Sequence, residues 1–216
     1  MVLRARMGGG SGEQPVQVPE AKPILFIISG PSGVGKDALV AILKQHDPSR
    51  HYAITVTTRP PRQDEQNGVH YHFWTEERFQ EQVNDGELLE WAKVYDNYYG
   101  VPKSELRPAL QQKLDVVLKV DVQGASTIKG LLPQAVLIFI APYSVDELQQ
   151  RHYRRHTESV DELQLRMQTA NNELAAMSYF DYVVINKQGD LPKAVARVEA
   201  IFTAEKSRVK PNIFAL

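Results

Sequence analysis

The residues with the clearest chemistry are Gly30, Pro31, Ser32, Gly33, Val34, Gly35 and Lys36, which spell G-x-x-x-x-G-K and are followed by Asp37. Glycines at 30, 33 and 35 let the backbone take positive φ and turn its N–H groups inward, making a nest for anionic oxygens at a helix N-terminus. Lys36 adds a mobile point charge for the outer phosphates of a nucleoside triphosphate. One position departs from the pattern. Where a Ser or Thr hydroxyl ordinarily meets magnesium, this chain has Asp37, and Ala38 after it has no hydroxyl either. A carboxylate there either ligates magnesium, directly or through water, or sits favourably at the positive end of a helix and leaves the metal to phosphates, water and other acids.

Such a loop needs a strand before it and a helix behind it. The apolar run over 24–28 supplies the strand and the amphipathic run over 38–43 the helix, which His46, Asp47 and Pro48 bring to a stop. The segment 52–58 is rich in β-branched residues and reads as one strand, followed by a polar loop to Gly68 and a second strand over 71–74. A short helix over 75–83 is broken at Asp85 and Gly86, and 88–94 and 98–101 return to strand composition. This is a compact β-rich insertion, placed where a three-layer α/β fold would carry a substrate lobe.

Alternation of strand and helix then resumes. A helix is expected over 103–112, strands over 116–121, 136–140 and 182–186, and helices over 125–132, from 144, over 160–177 and over 191–208. Asp121 falls at the C-terminal end of its strand, the edge where open parallel sheets place ligands. Arg151, His152, Arg154 and Arg155 make a basic turn between two helical segments, and Arg166 on the second points back toward it. The fold class is therefore α/β, with a parallel core sheet.

Composition narrows the options further. A chain of 216 residues, 43% of them hydrophobic, suits one α/β domain with a small insertion rather than two full domains. With 25 basic against 26 acidic residues, a broad electrostatic footprint for nucleic acid is not expected, so anions must be bound locally. The absence of cysteine removes disulfides, thiolate nucleophiles and cysteine zinc sites, and fits a cytoplasmic setting. No apolar run approaches the ~18 residues of a membrane helix, so no membrane partner is expected. Residues 1–22 lack apolar periodicity and read as a flexible tail.

From Pro23 to about Arg208 the sequence resembles the guanylate kinase family, enzymes that move the γ-phosphate of ATP to GMP. The resemblance rests on the phosphate loop together with Thr57-Thr-Arg-Pro-Pro-Arg62, Asn67-Gly-Val-His-Tyr71, Leu89-Glu-Trp91, Tyr98-Tyr-Gly100 and Asp121-Val-Gln-Gly124, in the family's order and spacing. It implies the P-loop nucleoside monophosphate kinase fold over 23–209, with a GMP-binding lobe at about 54–102, a helical lid at about 143–168 and a C-terminal tail over 210–216. It implies ATP and GMP as substrates and Mg2+ entering with ATP, and leaves a homo-oligomer open.

Carried over residue by residue, the resemblance assigns the phosphate of GMP to Arg59, Arg62, Tyr71 and Tyr99. Two guanidinium forks suit a phosphate dianion. Glu90 matches the guanine reader, because a carboxylate accepts from N1–H and the exocyclic amine together, and adenine offers neither donor there. Thr55 aligns with a hydroxyl near the base, while Val101 falls where many members have Ser or Thr. Asp121 matches an acid beside the GMP and metal region, and Asn186 a residue near the adenine of ATP. Arg151, Arg155 and Arg166, with Lys36, match cations that close over the phosphates and stabilise the charge of the transition state. His152 and Arg154 match no family position and read as a solvated helix face. Asp37 stays the candidate metal ligand. The rival readings are a guanylate-kinase-like binding module for phosphorylated peptides, which tends to lose the loop and lid chemistry kept here, and a phosphosugar kinase, which has no need of Glu90.

Overall fold

A computed structural model of the protein describes residues 22–94, 96–153, 160–210 and 212, the side chains of 152–167 excepted. The layers follow from the first strand, β1 (Leu25–Ser29). Phe26 and Ile28, with Ile24 before them, point to one side and Leu25 and Ile27 to the other, and all are fully buried. A strand apolar on both faces belongs in the middle of a sheet covered on both sides by helices. That is where β1 lies, at the centre of a parallel sheet ordered β2 (His51–Ala53), β7 (Val116–Lys119), β1, β8 (Val136–Ala141) and β9 (Tyr182–Ile185).

On one side, Ile24, Phe26, Ile28, Val117 and Ile138 pack against Leu39 and Leu43 of α1 (Lys36–His46) and Val195, Val198 and Phe202 of α7 (Leu191–Lys206). On the other, Leu25, Ile27, Val116, Leu118 and Leu137 meet Leu106 and Ala109 of α3 (Lys103–Gln111) and Ala125 and Ile128 of α4 (Val122–Leu131). Each such side chain contributes on the order of 1.5–3 kcal/mol by leaving water, which holds the sheet's C-terminal edge rigid enough to carry loops.

The inserted lobe has its own four-stranded sheet, ordered β4 (His72–Phe73), β3 (Val56–Thr57), β6 (Asn97–Pro102) and β5 (Leu88–Val94), and one helix, α2 (Glu76–Asn84). Thr75 caps that helix by accepting from the Arg78 N–H at 3.3 Å. Phe79 is buried among the rings of Trp74, Trp91 and Tyr98, at centroid distances of 6.4, 6.3 and 5.3 Å, so the lobe has an aromatic core separate from the sheet's. The chain then runs through α5 (Val145–Tyr153), α6 (Val160–Ala175) and a 3-10 turn (Ala176–Tyr179) to β9.

Two expectations are corrected. The strand read over 52–58 is two strands: β2 pairs with β7 in the core sheet, whereas β3 pairs with β4 and β6 in the lobe. Ile54 and Thr55 between them change sheets, and the carboxylate of Glu105 accepts from the Ile54 N–H at 3.0 Å where no ladder partner is available. The strand read to Asp121 ends at Lys119, and Asp121 is instead the N-cap of α4, accepting from the Gly124 N–H at 2.7 Å. The tails expected over 1–22 and 210–216 lie almost wholly outside the described residues. Among the described residues no helix is long and apolar enough to cross a membrane.

Candidate active site

The phosphate loop leaves β1 at Gly30, and its three glycines hold φ of 139°, 79° and 97° at positions 30, 33 and 35. At Gly30 a Cβ would lie 2.2 Å from the carbonyl oxygen of Ile140 on β8, so no other residue fits between the strands. The loop is braced from outside. The buried Asn186 donates from Nδ2 to the Val34 carbonyl at 2.8 Å, and Arg151 donates to the same carbonyl at 2.8 Å and to the Asn186 carbonyl at 2.7 Å. Arg151 also pairs with Glu147 one turn earlier on α5.

Inside the loop, the Lys36 ammonium donates to the carbonyls of Gly30 and, at 3.0 Å, Pro31. Burial pulls its pKa below the ordinary lysine value, and the nearby carboxyls of Glu173, Asp37 and Asp121 work against that fall. Glu173, on α6, escaped the sequence reading because a glutamate on an amphipathic helix is ordinarily solvated. Burial raises its own carboxyl, Lys36 opposes the rise, and one of its oxygens has no hydrogen-bond partner.

Asp37 lies in the first turn of α1, exposed, and takes a hydrogen bond from the ammonium of Lys119 at the end of β7. Lys119 also escaped the sequence reading, although a lysine closing the apolar run of β7 was a usable signal. Its ammonium stands 4.7 Å from the centroid of Tyr71. Burial works against its charge, but Tyr71 and Asp37 outweigh it and hold its pKa above the ordinary value.

Tyr71 opens the second cluster. It meets Tyr99 edge-on at 6.2 Å, and the Arg59 guanidinium lies 5.2 Å from its ring. Arg59 is held by a bidentate pair with Glu65, both contacts at 2.6 Å, and Glu65 also accepts from the Arg62 N–H at 2.9 Å. The Arg59 hydrogen bonds pull the Glu65 carboxyl down to about 2, although burial works against them. The Arg62 side chain is exposed, and its charge reaches the cluster through Glu65, whose ionised form it favours. Glu65 was unassigned in the sequence, yet its place between the two arginines and Tyr71 was visible there.

Glu90 forms the third part. A register shift in β5 between Leu88 and Glu90 turns the side chain toward the core, where it is 7% exposed. Its carboxyl lies against the start of α4, and a Cβ on Gly124 would come within 3.1 and 3.2 Å of its two oxygens. Burial, with the Asp121 charge second, pushes its pKa up to about 8. Thr55 is buried in the sheet-changing link, and Val101 is packed among Leu106 and Leu118 in the core. Arg155 lies outside the described residues, as does the Arg166 side chain.

Asp121 joins the parts, since its charge is felt by Lys36, Glu173 and Glu90 alike. Among the described residues, no three acidic or histidine side chains converge for a resident metal. Asp37 pairs with Lys119 and Asp121 caps α4, a donor set that fits a magnesium ion held chiefly by phosphate oxygens and water.

The arrangement has close counterparts. A family model described as guanylate kinase matches residues 21–205. The guanylate kinase of Desulfitobacterium hafniense is 44% identical over 193 residues, covering 88% of this chain and 96% of that protein. Guanylate kinase 2, chloroplastic/mitochondrial, of Oryza sativa subsp. japonica is 41% identical over 208 residues, covering 96% of this chain and 73% of that protein. The crystal structure of guanylate kinase from Anaplasma phagocytophilum matches the fold with a TM-score of 0.70 at 27% identity, covering 88% of this chain and 89% of that one. A phosphate loop at the edge of a parallel sheet, an inserted lobe and a match along most of the chain lead to one conclusion: the chain belongs to the guanylate kinase family.

Proposed function

We propose that this protein transfers the γ-phosphate of ATP to GMP, giving ADP and GDP. The observation that carries the reading is Glu90, a carboxyl buried at the lobe–core junction beside Asp121 and Gly124, where a base entering the lobe finds paired acceptors for guanine. A phosphate oxygen of GMP attacks the γ-phosphorus in line; the new oxygen–phosphorus bond forms as the bond to the β-phosphate oxygen breaks. The acceptor oxygen is already anionic, so neither a protein nucleophile nor a strong general base is required. The protein's work is positioning and charge neutralisation.

Lys36 and the loop N–H groups hold the β- and γ-phosphates, with Gly30 to Asp37 forming the ATP cradle and Asn186 standing beside it. Arg59, Arg62, Tyr71 and Tyr99 receive the GMP phosphate, which displaces Glu65 from Arg59 as a stronger bidentate partner. Thr55 and Asp121 flank the base with Glu90. On this reading Arg151, already against the phosphate loop, is joined by Arg155 and Arg166 of the lid expected over 143–168, and the three complete the cation set on closure. Asp37 and Asp121 are the residues that would face a magnesium ion entering with ATP, and such an ion would supply neutralisation of the phosphate charge.

ADP release measured against GMP, AMP and ribose phosphates tests the reading. Turnover with GMP at least ~100-fold above AMP is expected, since a buried carboxylate left without its donors rejects the wrong base. Equal turnover with ribose phosphates would make this a phosphosugar kinase, and GMP binding without ADP release would make it a binding module.

A further inference from the structure

The geometry points to Lys119 as a further catalytic residue, an ammonium that bridges the donor- and acceptor-phosphate subsites and meets the transferring phosphoryl group, with Asp37 as its internal counterion. The inference deepens the guanylate kinase reading and rests on it. Lys119 is paired in register with Ile28, so its side chain leaves β7 directly beside the strand end that feeds the phosphate loop. Its ammonium reaches Asp37, next to Lys36, and on the other side stands 4.7 Å from the Tyr71 ring. Tyr71 in turn packs on Arg59 and Tyr99. One cation therefore touches both phosphate clusters.

A stabilising ion pair alone is a poor account of this arrangement. The Lys119 side chain is 17% exposed but its partner Asp37 is 75% exposed, and a carboxylate so well solvated returns little for burying a lysine. Two phosphate groups brought to either side of the ammonium would match it far better. Asp37 also places a negative charge where the triphosphate must lie, and Lys119 cancels it at contact distance. The departure at Asp37 and the lysine at the end of β7 thus form one unit. Phosphate dianions displace the single carboxylate from the ammonium, which is then aimed at the charge that develops during transfer.

The test compares Lys119→Met, Lys119→Arg, Asp37→Ser and the double variant Asp37→Ser/Lys119→Met with the parent. GDP formation gives kcat, and calorimetry gives affinities for ATP, GMP and a bisubstrate analogue joining adenosine and guanosine through five phosphates. Lys119→Met should lower kcat by ~10²-fold or more, with Lys119→Arg retaining at least ~10-fold more activity than Met. It should also weaken the analogue by ~10-fold beyond the combined losses for ATP and GMP, because only the analogue fills the space between the two sites; a structural role would not produce that excess. The double variant, which leaves no orphaned carboxylate and so should fold even where Lys119→Met does not, should remain as slow as the single one. Recovery of parental turnover in the double variant would reduce Lys119 to a counterion and overturn the inference. So would a kcat within ~3-fold of parent for Lys119→Met, or an analogue loss equal to the separate losses. Absence of GDP from the parent would overturn the kinase reading instead, while the analogue titration still reads Lys119.

Discussion

A carboxyl can read guanine only when it has lost its proton, and Glu90 holds on to that proton up to about pH 8 in the free enzyme because it is buried beside the charge of Asp121. GMP binding must therefore release a proton at neutral pH. Below about pH 8, kcat/KM for GMP is expected to fall by ~10-fold per pH unit until the substrate's own phosphate begins to titrate near pH 6, and to level off above it. Glu90→Gln should flatten that dependence and lower kcat/KM by ~10-fold or more at its plateau. A pH profile for the parent that is flat between pH 6.5 and 9 would mean that the base is read by another group. The same shift affects stability. The folded state keeps the Glu90 proton above the ordinary glutamate value of ~4.3, so it binds more protons than the unfolded chain between there and about 8, and stability falls as pH rises through that window. Glu90→Gln should accordingly raise the melting temperature more at pH 8 than at pH 5. At this scale the geometry is compatible with the motif reading: the loop glycines take positive φ, Lys36 donates into the loop, Arg59 packs on Tyr71 and Glu90 is buried at the lobe–core junction. Glu173 and Lys119 were not assigned, because their partners lie across the fold, Lys36 for the one and Asp37 for the other, whereas Glu65 lies six residues from Arg59 and its pairing was open to a local reading.

Elements were legible where hydrophobic periodicity was strong and unclear where the chain changes direction. The buried runs of β1, β7 and β8 have no competing reading, and their helices follow from spacing alone. Composition could not reveal that 52–58 divides between two sheets, since β-branched residues suit both halves equally. The break depends on Glu105 of α3, which accepts from the Ile54 N–H, holds the His72 imidazole at 2.8 Å and has the His51 imidazole at 3.5 Å. One carboxylate thus ties β2, β4 and α3 at the junction of core and lobe. Burial disfavours its charge, but the imidazoles and the N–H outweigh burial and bring its pKa down to about 2. A depressed carboxyl stabilises the fold above its unfolded pKa and loses that contribution as pH falls from ~4.3 toward 2. Glu105→Gln should therefore cost on the order of 1–3 kcal/mol at pH 7, measured by denaturant unfolding, and progressively less as the pH is lowered below 4.3. An equal cost at pH 3 would show that shape rather than charge holds the junction.

The whole molecule is close to neutral, at −1 by formal count, yet Lys36, Lys119, Arg59 and Arg151 gather about one cleft. Each is engaged by an internal acceptor: loop carbonyls for Lys36, Asp37 for Lys119, Glu65 for Arg59, and Glu147 with the Val34 and Asn186 carbonyls for Arg151. On the proposed reading, substrate phosphates replace these acceptors and cancel the repulsion between cations carried by different parts of the fold. The lobe is suited to move as a body, because Phe79 and its ring of aromatics form a core of their own and the chain passes between lobe and core at the Ile54–Thr55 link and from β6 into α3. Glu90 against Gly124 and Val101 in the core cluster mark where it leans on the sheet, so closure should pivot there and bring Arg59 toward the phosphate loop. Small-angle scattering with the bisubstrate analogue should show a smaller radius of gyration than the free protein, while ATP alone or GMP alone should give only part of the contraction, because each fills one of the two facing sites. An unchanged radius in a sample shown by calorimetry to be saturated would mean that the cleft is already closed when empty, and the internal acceptors would then be permanent braces rather than partners that substrates displace.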